Sequence, residues 1–453
     1  MQGANTTKKV LLLMTPLRRF CKDAPNMPDI GLGYLSASSK GKDWEVLVWD
    51  WNRNFSADQF KEHLIEVSPS VTGIKVFTTN FSAVKKTLAI LKTTLSSCLI
   101  IIGGPHPSST TPAELFEEFP EADFAIRGDG EEGLSQLLQL FSEIGSREEL
   151  LQLPSTAFEK ITNLVWKEND QVRYNPIKFI QDMDSLKIPS WELLEPKNYR
   201  SPRIDPSDQR GTVAPIIVTR GCPAPCTFCS VHMVAGRKIR FHTAEYILHE
   251  LETLYHQYDV RQVMFWDTNF LVNKKLVVEI CEGILEKNLQ IVWDCVFPLH
   301  TRVDSSLQQL MRRAGCRVVN IAEESGSDKI LGTINKGKTV REIKELVSLV
   351  KKNAIKVSAY FMFGFPQETI VDMQLTRDTA FSLGADNLFF NLCVPYPGTV
   401  IYKYALEKYQ IQKIEWGNYS IYSTPYGVSE VPSWRIALFF HLTRLRYNLR
   451  RKL

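Results

Sequence analysis

The 453-residue sequence lacks any apolar stretch approaching the ~18 residues needed to span a bilayer, so an integral membrane protein is not expected. The apolar run Val10–Met14 is too short for a secretion signal, which predicts a first buried strand and a cytoplasmic protein.

A strong charge of either sign is also missing, because 54 basic residues stand against 50 acidic ones. The basic excess lies between Arg435 and Leu453, where no acid occurs, and the rest of the chain is slightly acidic. We therefore predict no nucleic-acid partner.

Two nucleotide-binding motifs are absent as well. No G-x-G-x-x-G follows the first strand, which argues against a nicotinamide dinucleotide, and no G-x-x-x-x-G-K-[ST] marks a P-loop.

The cysteines do not form the regular pairs of a disulfide framework. Six of the nine are scattered singly and are predicted to be buried, reduced thiols. The other three form a cluster whose chemistry is considered below.

Short runs of Val, Ile and Leu alternate with amphipathic segments over residues 1–145. This pattern predicts an α/β domain with a Rossmann-like, doubly wound parallel sheet. Ligands of such sheets bind beyond the carboxyl ends of the strands. The predicted loops there contain Thr78, the pair Gly103 and Gly104, and the segment from Gly128 to Glu131. A sheet that only packs against a neighbouring domain remains the alternative.

The remainder of the chain divides by composition into three segments. Residues 146–210 are predicted to be a linker that contains a β-hairpin at 163–175. Strands alternate with helices over 211–405, as in a partial (β/α)6 barrel. Residues 406–453 are predicted to be a basic amphipathic helical region with leucines on one face (Leu438, Leu442, Leu445, Leu449 and Leu453). We expect this helix to cap the barrel, with contact to an anionic lipid surface or an acidic substrate as the alternative.

Cys222, Cys226 and Cys229 lie in one loop directly after a predicted strand. Three thiolates this close together can hold three corners of an iron–sulfur cluster. A zinc site normally needs a fourth protein ligand, and no second C-x-x-C pair lies nearby. The spacing alone therefore favours an iron–sulfur site, with zinc and a chance grouping left open.

The same cysteines carry a family resemblance. C-x-x-x-C-x-aromatic-C after a strand resembles the signature of the radical S-adenosylmethionine (AdoMet) enzymes, and Phe228 occupies the aromatic position. Later segments resemble other motifs of that superfamily in the same order: 322–327 (A-E-E-S-G-S), 361–369 (F-M-F-G-F-P-Q-E-T) and 394–399 (V-P-Y-P-G-T). Together with 32–35 and 103–107, the chain resembles radical AdoMet enzymes that carry an N-terminal cobalamin-binding domain.

The resemblance implies a set of cofactors and residue roles. The three cysteines would hold a 4Fe–4S cluster that binds and cleaves AdoMet to a 5′-deoxyadenosyl radical. The residues that would contact AdoMet are Phe228, Asp267 and Glu324. Cobalamin would be contacted by loop residues of the first domain (Thr78, Gly103, Gly104, Gly128 and Glu131). No histidine lower ligand is expected, because the D-x-H-x-x-G motif is absent. Glu323 is an additional acid beside Glu324, facing either the substrate or a neighbouring layer.

The function implied by the resemblance is methyl transfer to an unactivated carbon by a cobalamin-dependent radical AdoMet enzyme. The alternative is a radical AdoMet cyclase, dehydratase or other rearrangement without methyl transfer. A non-catalytic iron–sulfur sensor is the third possibility. We expect a small-molecule or lipid substrate, an electron donor such as flavodoxin or ferredoxin, and peripheral membrane contact through the C-terminal region. The residues do not identify the substrate.

Overall fold

A computed structural model of the protein describes residues 9–16, 27–41, 43–50, 56–199, 202–297, 303–419, 422–423 and 427–450. The chain divides into two compact units, one formed by residues 1–200 and 233–235 and the other by 201–232 and 236–453. The finer boundaries at 145, 210 and 405 stay a prediction.

The first unit is built on a seven-stranded sheet of order β2-β1-β3-β4-β5-β6-β7. Its strands are β1 (Lys9–Met14), β2 (Trp44–Trp49), β3 (Val71–Lys75), β4 (Leu99–Gly103), β5 (Phe124–Ile126), β6 (Leu164–Glu168) and β7 (Gln171–Tyr174). The first five are parallel in the flavodoxin-like order 2-1-3-4-5, which confirms the predicted doubly wound sheet. The sequence of β4, Leu-Ile-Ile-Ile-Gly, fits a central strand covered on both faces.

Helices connect the strands of this unit. They are α1 (Ile30–Ser39), α2 (Ala57–Val67), α3 (Phe81–Thr94), α4 (Pro105–Ser109), α5 (Pro112–Glu118), α6 (Glu131–Ile144), α7 (Arg147–Leu151) and α8 (Trp191–Leu194). Capping boxes start two of them: Ser56 pairs with Gln59 at α2, and Thr111 pairs with Glu114 at α5. These local signals explain why the helices begin where the sequence predicts.

The predicted hairpin at 163–175 is present, but it does not stand alone. Its first strand, β6, pairs antiparallel with β5, so the hairpin extends the sheet of the first unit. Asn169 and Asp170 form its turn with φ of 48° and 62°, a conformation that these two residue types tolerate well.

The second unit contains six parallel strands in the order β15-β14-β13-β12-β11-β8. These are β8 (Thr212–Ile216), β11 (Val260–Phe265), β12 (Val292–Val296), β13 (Cys316–Glu324), β14 (Lys356–Phe363) and β15 (Asn387–Leu392), with a short antiparallel pair formed by β9 (Thr219–Arg220) and β10 (Arg240–Phe241). Consecutive parallel strands form an open half-barrel, which confirms the predicted partial (β/α)6 architecture.

The helices of the second half of the chain follow the barrel strands. They are α9 (Val231–Ala235), α10 (Ala244–Gln257), α11 (Lys274–Glu286), α12 (Ser305–Arg313), α13 (Asp328–Thr333), α14 (Val340–Lys352), α15 (Ile370–Ser382), α16 (Val400–Tyr409) and α17 (Ser433–Arg450). The last of them, α17, packs on β15: the Tyr447 ring contacts the Phe390 ring, and the Tyr447 hydroxyl accepts a hydrogen bond from the Leu388 amide at 3.0 Å. Within the described residues, no helix is both long and apolar enough to cross a membrane.

Candidate active site

The three predicted cluster cysteines lie in one loop that follows β9. The loop is anchored by backbone hydrogen bonds from Cys222 N to Gly236 O (3.0 Å) and from Thr227 N to Ile334 O (3.2 Å). Gly221 has a φ of 104°, a conformation that favours glycine and turns the chain away from the strand. All three thiols are unbridged and half-buried.

The chemistry of these thiols fits an iron–sulfur cluster. Among the described residues, no group of three His, Cys, Asp or Glu side chains is spaced to hold one metal ion. The thiolates of an iron–sulfur cluster bind different iron atoms, so they need not converge on one point. Burial raises the pKa of the Cys229 thiol to about 11 and also raises that of Cys226. A metal that binds these sulfur atoms favours their thiolate form.

Asp267 supports the backbone that leads into the cysteine loop. Its carboxylate accepts hydrogen bonds from the backbone amides of Val218, at 2.9 Å, and Thr219. The side chain is buried, and burial raises its pKa to about 6 although the two amides favour the charged form. Both carboxylate oxygens are thus engaged by the segment between β8 and β9.

Glu324 ends β13 and forms a buried ion pair with Lys336. The Lys336 Nζ lies 2.9 Å from Glu324 Oε1, and it also lies 5.8 Å from the centre of the Phe228 ring. Glu324 has a φ of 70°, and the strand register shifts between Ala322 and Glu324. Lys336 therefore lies between the Glu324 carboxylate and the Phe228 ring, and the contacts of Phe228 and Glu324 with AdoMet stay predictions.

Lys336 is a site residue that the sequence analysis did not assign. It is 9% exposed and lies in the segment that follows α13, twelve positions after its partner Glu324. The only sequence signal was its place in the Asn-Lys-Gly stretch after the A-E-E-S-G-S segment.

Glu323 faces the helical layer rather than the interior of the barrel. It is fully buried, and neither carboxylate oxygen has a hydrogen-bond partner among the described residues. Burial raises its pKa to about 8, against the attraction of Lys344 on α14. This answers the question that the sequence left open: Glu323 turns toward the neighbouring layer.

The loops predicted to bind cobalamin follow β3, β4 and β5. Thr78 Oγ1 lies 3.0 Å from His106 Nδ1, and His106 Nε2 lies 2.9 Å from Glu118 Oε2. His106 lies in the short helix α4. Both of its ring nitrogens are engaged and the side chain is 1% exposed, so it does not present a nitrogen to a cobalt ion.

The glycines of these loops have packing reasons of their own. Gly104 has a φ of 103°, and a Cβ there would lie 3.1 Å from the carbonyl oxygen of Val76. Gly128 has a φ of 75°, and a Cβ there would approach Ile177 to 2.8 Å. A Cβ at Gly103 would meet only ordinary contact distances, and Glu131 is buried in the first turn of α6. The loops thus come together at one edge of the sheet, as a ligand site requires, and the individual cobalamin contacts stay predictions.

Two sequence families match the chain in separate segments. Residues 216–380 match the radical SAM superfamily, in which SAM denotes AdoMet, and residues 22–138 match the B12 binding domain. The chain is a radical SAM enzyme with an N-terminal B12-binding domain. The radical SAM segment contains the three cysteines, Asp267 and the Glu324–Lys336 pair. The two domains imply a 4Fe–4S cluster, AdoMet and cobalamin as cofactors.

Curated relatives of this radical SAM enzyme span most of its length. An uncharacterized methyltransferase of Pyrococcus horikoshii is 27% identical over 98% of this chain and 93% of its own. The anaerobic magnesium-protoporphyrin IX monomethyl ester cyclase of Rubrivivax gelatinosus is 25% identical over 87% of this chain and 69% of its own. The cytidylyl-2-hydroxyethylphosphonate methyltransferase of Streptomyces wedmorensis is 23% identical over 94% of this chain.

Solved structures share the two-domain fold. The radical SAM methyltransferase TsrM of Kitasatospora setae, with cobalamin and a [4Fe-4S] cluster bound, superposes with a TM-score of 0.68 at 18% identity, covering 88% of this chain and 76% of its own. The cobalamin-dependent radical enzyme OxsB gives a TM-score of 0.67 at 19% identity over 82% of this chain. The radical SAM enzyme described here matches about half of the OxsB chain, 52%. At these identities the likeness establishes the fold.

Proposed function

We propose that this protein is a cobalamin-dependent radical SAM C-methyltransferase acting on an unactivated carbon of a small molecule. The observation that carries the proposal is the presence of a cysteine loop and a B12-binding domain in one chain. Two relatives that span nearly all of the chain are named methyltransferases, which supports it. When bound, the cofactors supply one-electron chemistry that removes a hydrogen atom from carbon and a methyl group that replaces it.

The residues of the chain then have distinct tasks. Cys222, Cys226 and Cys229 hold the cluster, and Asp267 positions their loop through the Val218 and Thr219 amides. We propose that the Glu324–Lys336 pair and Phe228 form the wall against which AdoMet binds. The Glu324 carboxylate and the Lys336 ammonium are buried and paired. They complement AdoMet, because AdoMet carries both an amino and a carboxylate group.

Product analysis tests this function. Reconstituted enzyme with hydroxocobalamin, AdoMet and a cell extract as substrate source should yield S-adenosylhomocysteine and 5′-deoxyadenosine together, because each methylation consumes AdoMet in both ways. The readout is chromatography with mass detection of both products. If 5′-deoxyadenosine forms without S-adenosylhomocysteine, a cyclase or another rearrangement replaces the proposal. A relative named a magnesium-protoporphyrin cyclase supports that second candidate.

The electron donor is proposed to be a flavodoxin or a ferredoxin, since the cluster must be reduced by one electron. Replacing the chemical reductant in the same assay with reduced flavodoxin, and separately with reduced ferredoxin, tests this. The proposal is wrong if neither carrier sustains 5′-deoxyadenosine formation. The cytoplasmic location stays a prediction from the sequence.

We also propose that α17 places the enzyme against an anionic lipid surface. Its buried face packs on the barrel, and its opposite face carries large exposed side chains, each at least 52% exposed (Trp434, Leu438, Leu442, Leu445 and Leu449). Arg435 and Arg446 lie along one edge of this stripe, and the helix has no acidic residue. If two copies of the protein paired through this stripe, the arginines of one α17 would lie close to those of the other and repel them. A surface of anionic lipids instead carries the charge that complements the arginines.

Vesicle cosedimentation tests the membrane contact. The enzyme should sediment with phosphatidylcholine vesicles that contain phosphatidylglycerol and remain in solution with pure phosphatidylcholine, because the arginines need an anionic partner. The double variant Leu438→Ser/Leu445→Ser should lose most of this binding. Leu285→Ser, which changes an exposed leucine on α11, is the matched control and should bind as the parent does. Concentration-dependent dimers that the double variant abolishes, without vesicle binding, would instead assign the stripe to a second copy.

A further inference from the structure

A segment of the first unit lies along the carboxyl edge of its parallel strands. It covers residues 177–199, which follow the hairpin of β6 and β7, and we call it the strap. Its first residues lie against the loop after β5: a Cβ at Gly128 would approach the Ile177 side chain to 2.8 Å and the Phe179 ring to 3.3 Å. The strap therefore starts beside a loop that is predicted to contact cobalamin.

The strap meets the same edge of the sheet at two further points. The Ser190 amide donates a hydrogen bond to Gly33 O, in the first turn of α1, at 3.1 Å. The Tyr199 hydroxyl donates to Asp50 Oδ2, directly after β2. Because β2 and β5 are the outer members of the five parallel strands, the strap passes along the whole edge at which such sheets bind their ligands.

Asn163 holds the strap and the loop after β5 together. Its Nδ2 donates to Asp129 O at 2.8 Å and to Lys178 O at 2.9 Å, and its Oδ1 accepts from the Lys178 amide at 2.6 Å. The Asp129 carboxylate completes the junction, because its Oδ2 accepts from the Ile180 amide at 3.0 Å. Asn163 is 1% exposed, so one buried side chain fixes the backbone of both segments.

The residues at this edge fit cobalamin. Two buried hydroxyls have no hydrogen-bond partner among the described residues: Ser190 Oγ of the strap, and Oγ of Ser109, the last residue of α4. Cobalamin carries amide side chains around its ring, and amides both donate to and accept from hydroxyls. Ile177 and Phe179 are only half-buried, so the strap also offers apolar surface beside the loop after β5. A large ring with polar substituents needs both kinds of partner.

We propose that the strap forms one side of the cobalamin site, and that Asn163 is the positioning residue that holds the strap against the loop after β5. Without the Asn163 side chain, the two segments lose their shared hydrogen bonds, and cobalamin binds more weakly because it must order them itself. This inference rests on the proposed function, because it names residues that hold the cofactor of that same reaction.

Equilibrium dialysis of the reconstituted full-length protein against hydroxocobalamin tests the role of Asn163. AdoMet and reductant are left out, so the readout is the dissociation constant from the cobalamin absorbance and no turnover is involved. Asn163→Gly should raise this constant at least about tenfold, because the three side-chain hydrogen bonds are lost. Glycine adopts the φ of 64° at this position without strain. Asn169→Gly, at a φ of 48° in the exposed hairpin turn, is the matched control and should bind as the parent does.

Two further variants separate positioning from stability. Arg147→Met removes the ion pair with Asp123, directly before β5 at the amino edge of the same sheet. It should lower the melting temperature and leave the dissociation constant unchanged, because this edge is remote from the strap. Tyr199→Phe removes the hydrogen bond to Asp50 at the far end of the strap and should raise the constant about threefold. It decides the test if Asn163→Gly does not fold.

Parent-like cobalamin binding in a folded Asn163→Gly variant, or in Tyr199→Phe, would overturn the inference. Binding weakened to the same degree in Arg147→Met would overturn it as well, because affinity would then follow the stability of the domain. A parent protein that does not bind hydroxocobalamin would overturn the proposed function together with the inference. Where the parent binds cobalamin and the variants bind it equally well, the inference alone fails, and the product analysis still decides the proposed function.

Discussion

Cys226→Ala is expected to lose most of the bound iron and all AdoMet cleavage. The fold places Cys226 in the middle of the loop, between the other two thiols, and the loop backbone is already fixed by hydrogen bonds to Gly236 and Ile334. No other cysteine of the described residues lies in this loop to replace it. Iron content after anaerobic reconstitution, the visible absorption of the cluster, and 5′-deoxyadenosine formation are the three measurements.

Cys281→Ala is the matched control for this experiment. Cys281 is a fully buried thiol of the same unit, but it lies in α11 among the packed helices. We expect it to keep its iron and its AdoMet cleavage, at a modest cost in stability from the smaller side chain. A normal cluster in Cys226→Ala would show that the ligand assignment is wrong.

Lys336→Met is expected to lower AdoMet cleavage by at least about 100-fold, the size typical of losing one preorganised charged donor. The substitution leaves Glu324 buried without its cation, which costs about 3–5 kcal/mol locally. It also removes the positive charge near the Phe228 ring and Cys226. Initial rates of 5′-deoxyadenosine formation, and the AdoMet concentration that gives half the maximal rate, measure the effect.

A second substitution separates stability from AdoMet binding. In Glu324→Gln/Lys336→Met neither buried charge remains, so the melting temperature should recover while cleavage stays low. Lys338→Met is the matched control, because Lys338 lies two positions away, just before α14, and its Nζ pairs with Glu342 in the first turn of that helix at 3.0 Å. Parent-like cleavage in Lys336→Met, or loss of cleavage in Lys338→Met to the same degree, would contradict the proposed role of the pair.

The fold was predictable from the sequence because its signals are local. Continuous apolar strands such as β4, and capping residues such as Ser56 and Thr111, fix each element within its own segment. The pairing of β6 with β5 was not predictable, because a hairpin sequence determines its own turn and not the neighbour that its outer edge will meet. The short helix α4 is hard to predict for a related reason: prolines mark turns, and they also suit the first turn of a helix.

The site was predictable only where it is contiguous. Cys222, Cys226 and Cys229 lie in one loop, and their spacing alone indicates a cluster. The Glu324–Lys336 pair forms because the end of β13 lies against the segment that follows α13. The positions of the two residues in the sequence do not predict this contact. The orientations of Glu323 and Glu324 depend on a one-residue bulge in β13, because the side-chain period of a strand is two. The contacts of Asp267 were not predictable from the sequence either, because it accepts hydrogen bonds from the Val218 and Thr219 amides, which follow a different strand, β8.

The hairpin at the edge of the first sheet determines where an independent B12-binding fragment can end. A fragment cut at residue 145 would leave β5, whose three residues are all buried, as an open strand edge able to pair with other chains. Continuing to residue 199 retains β6 and β7, and the outermost strand is then a short, mostly exposed and polar one. The segment that resembles a linker in the sequence therefore protects the sheet from self-association, and it belongs with the cofactor domain in any attempt to separate the two halves of the enzyme.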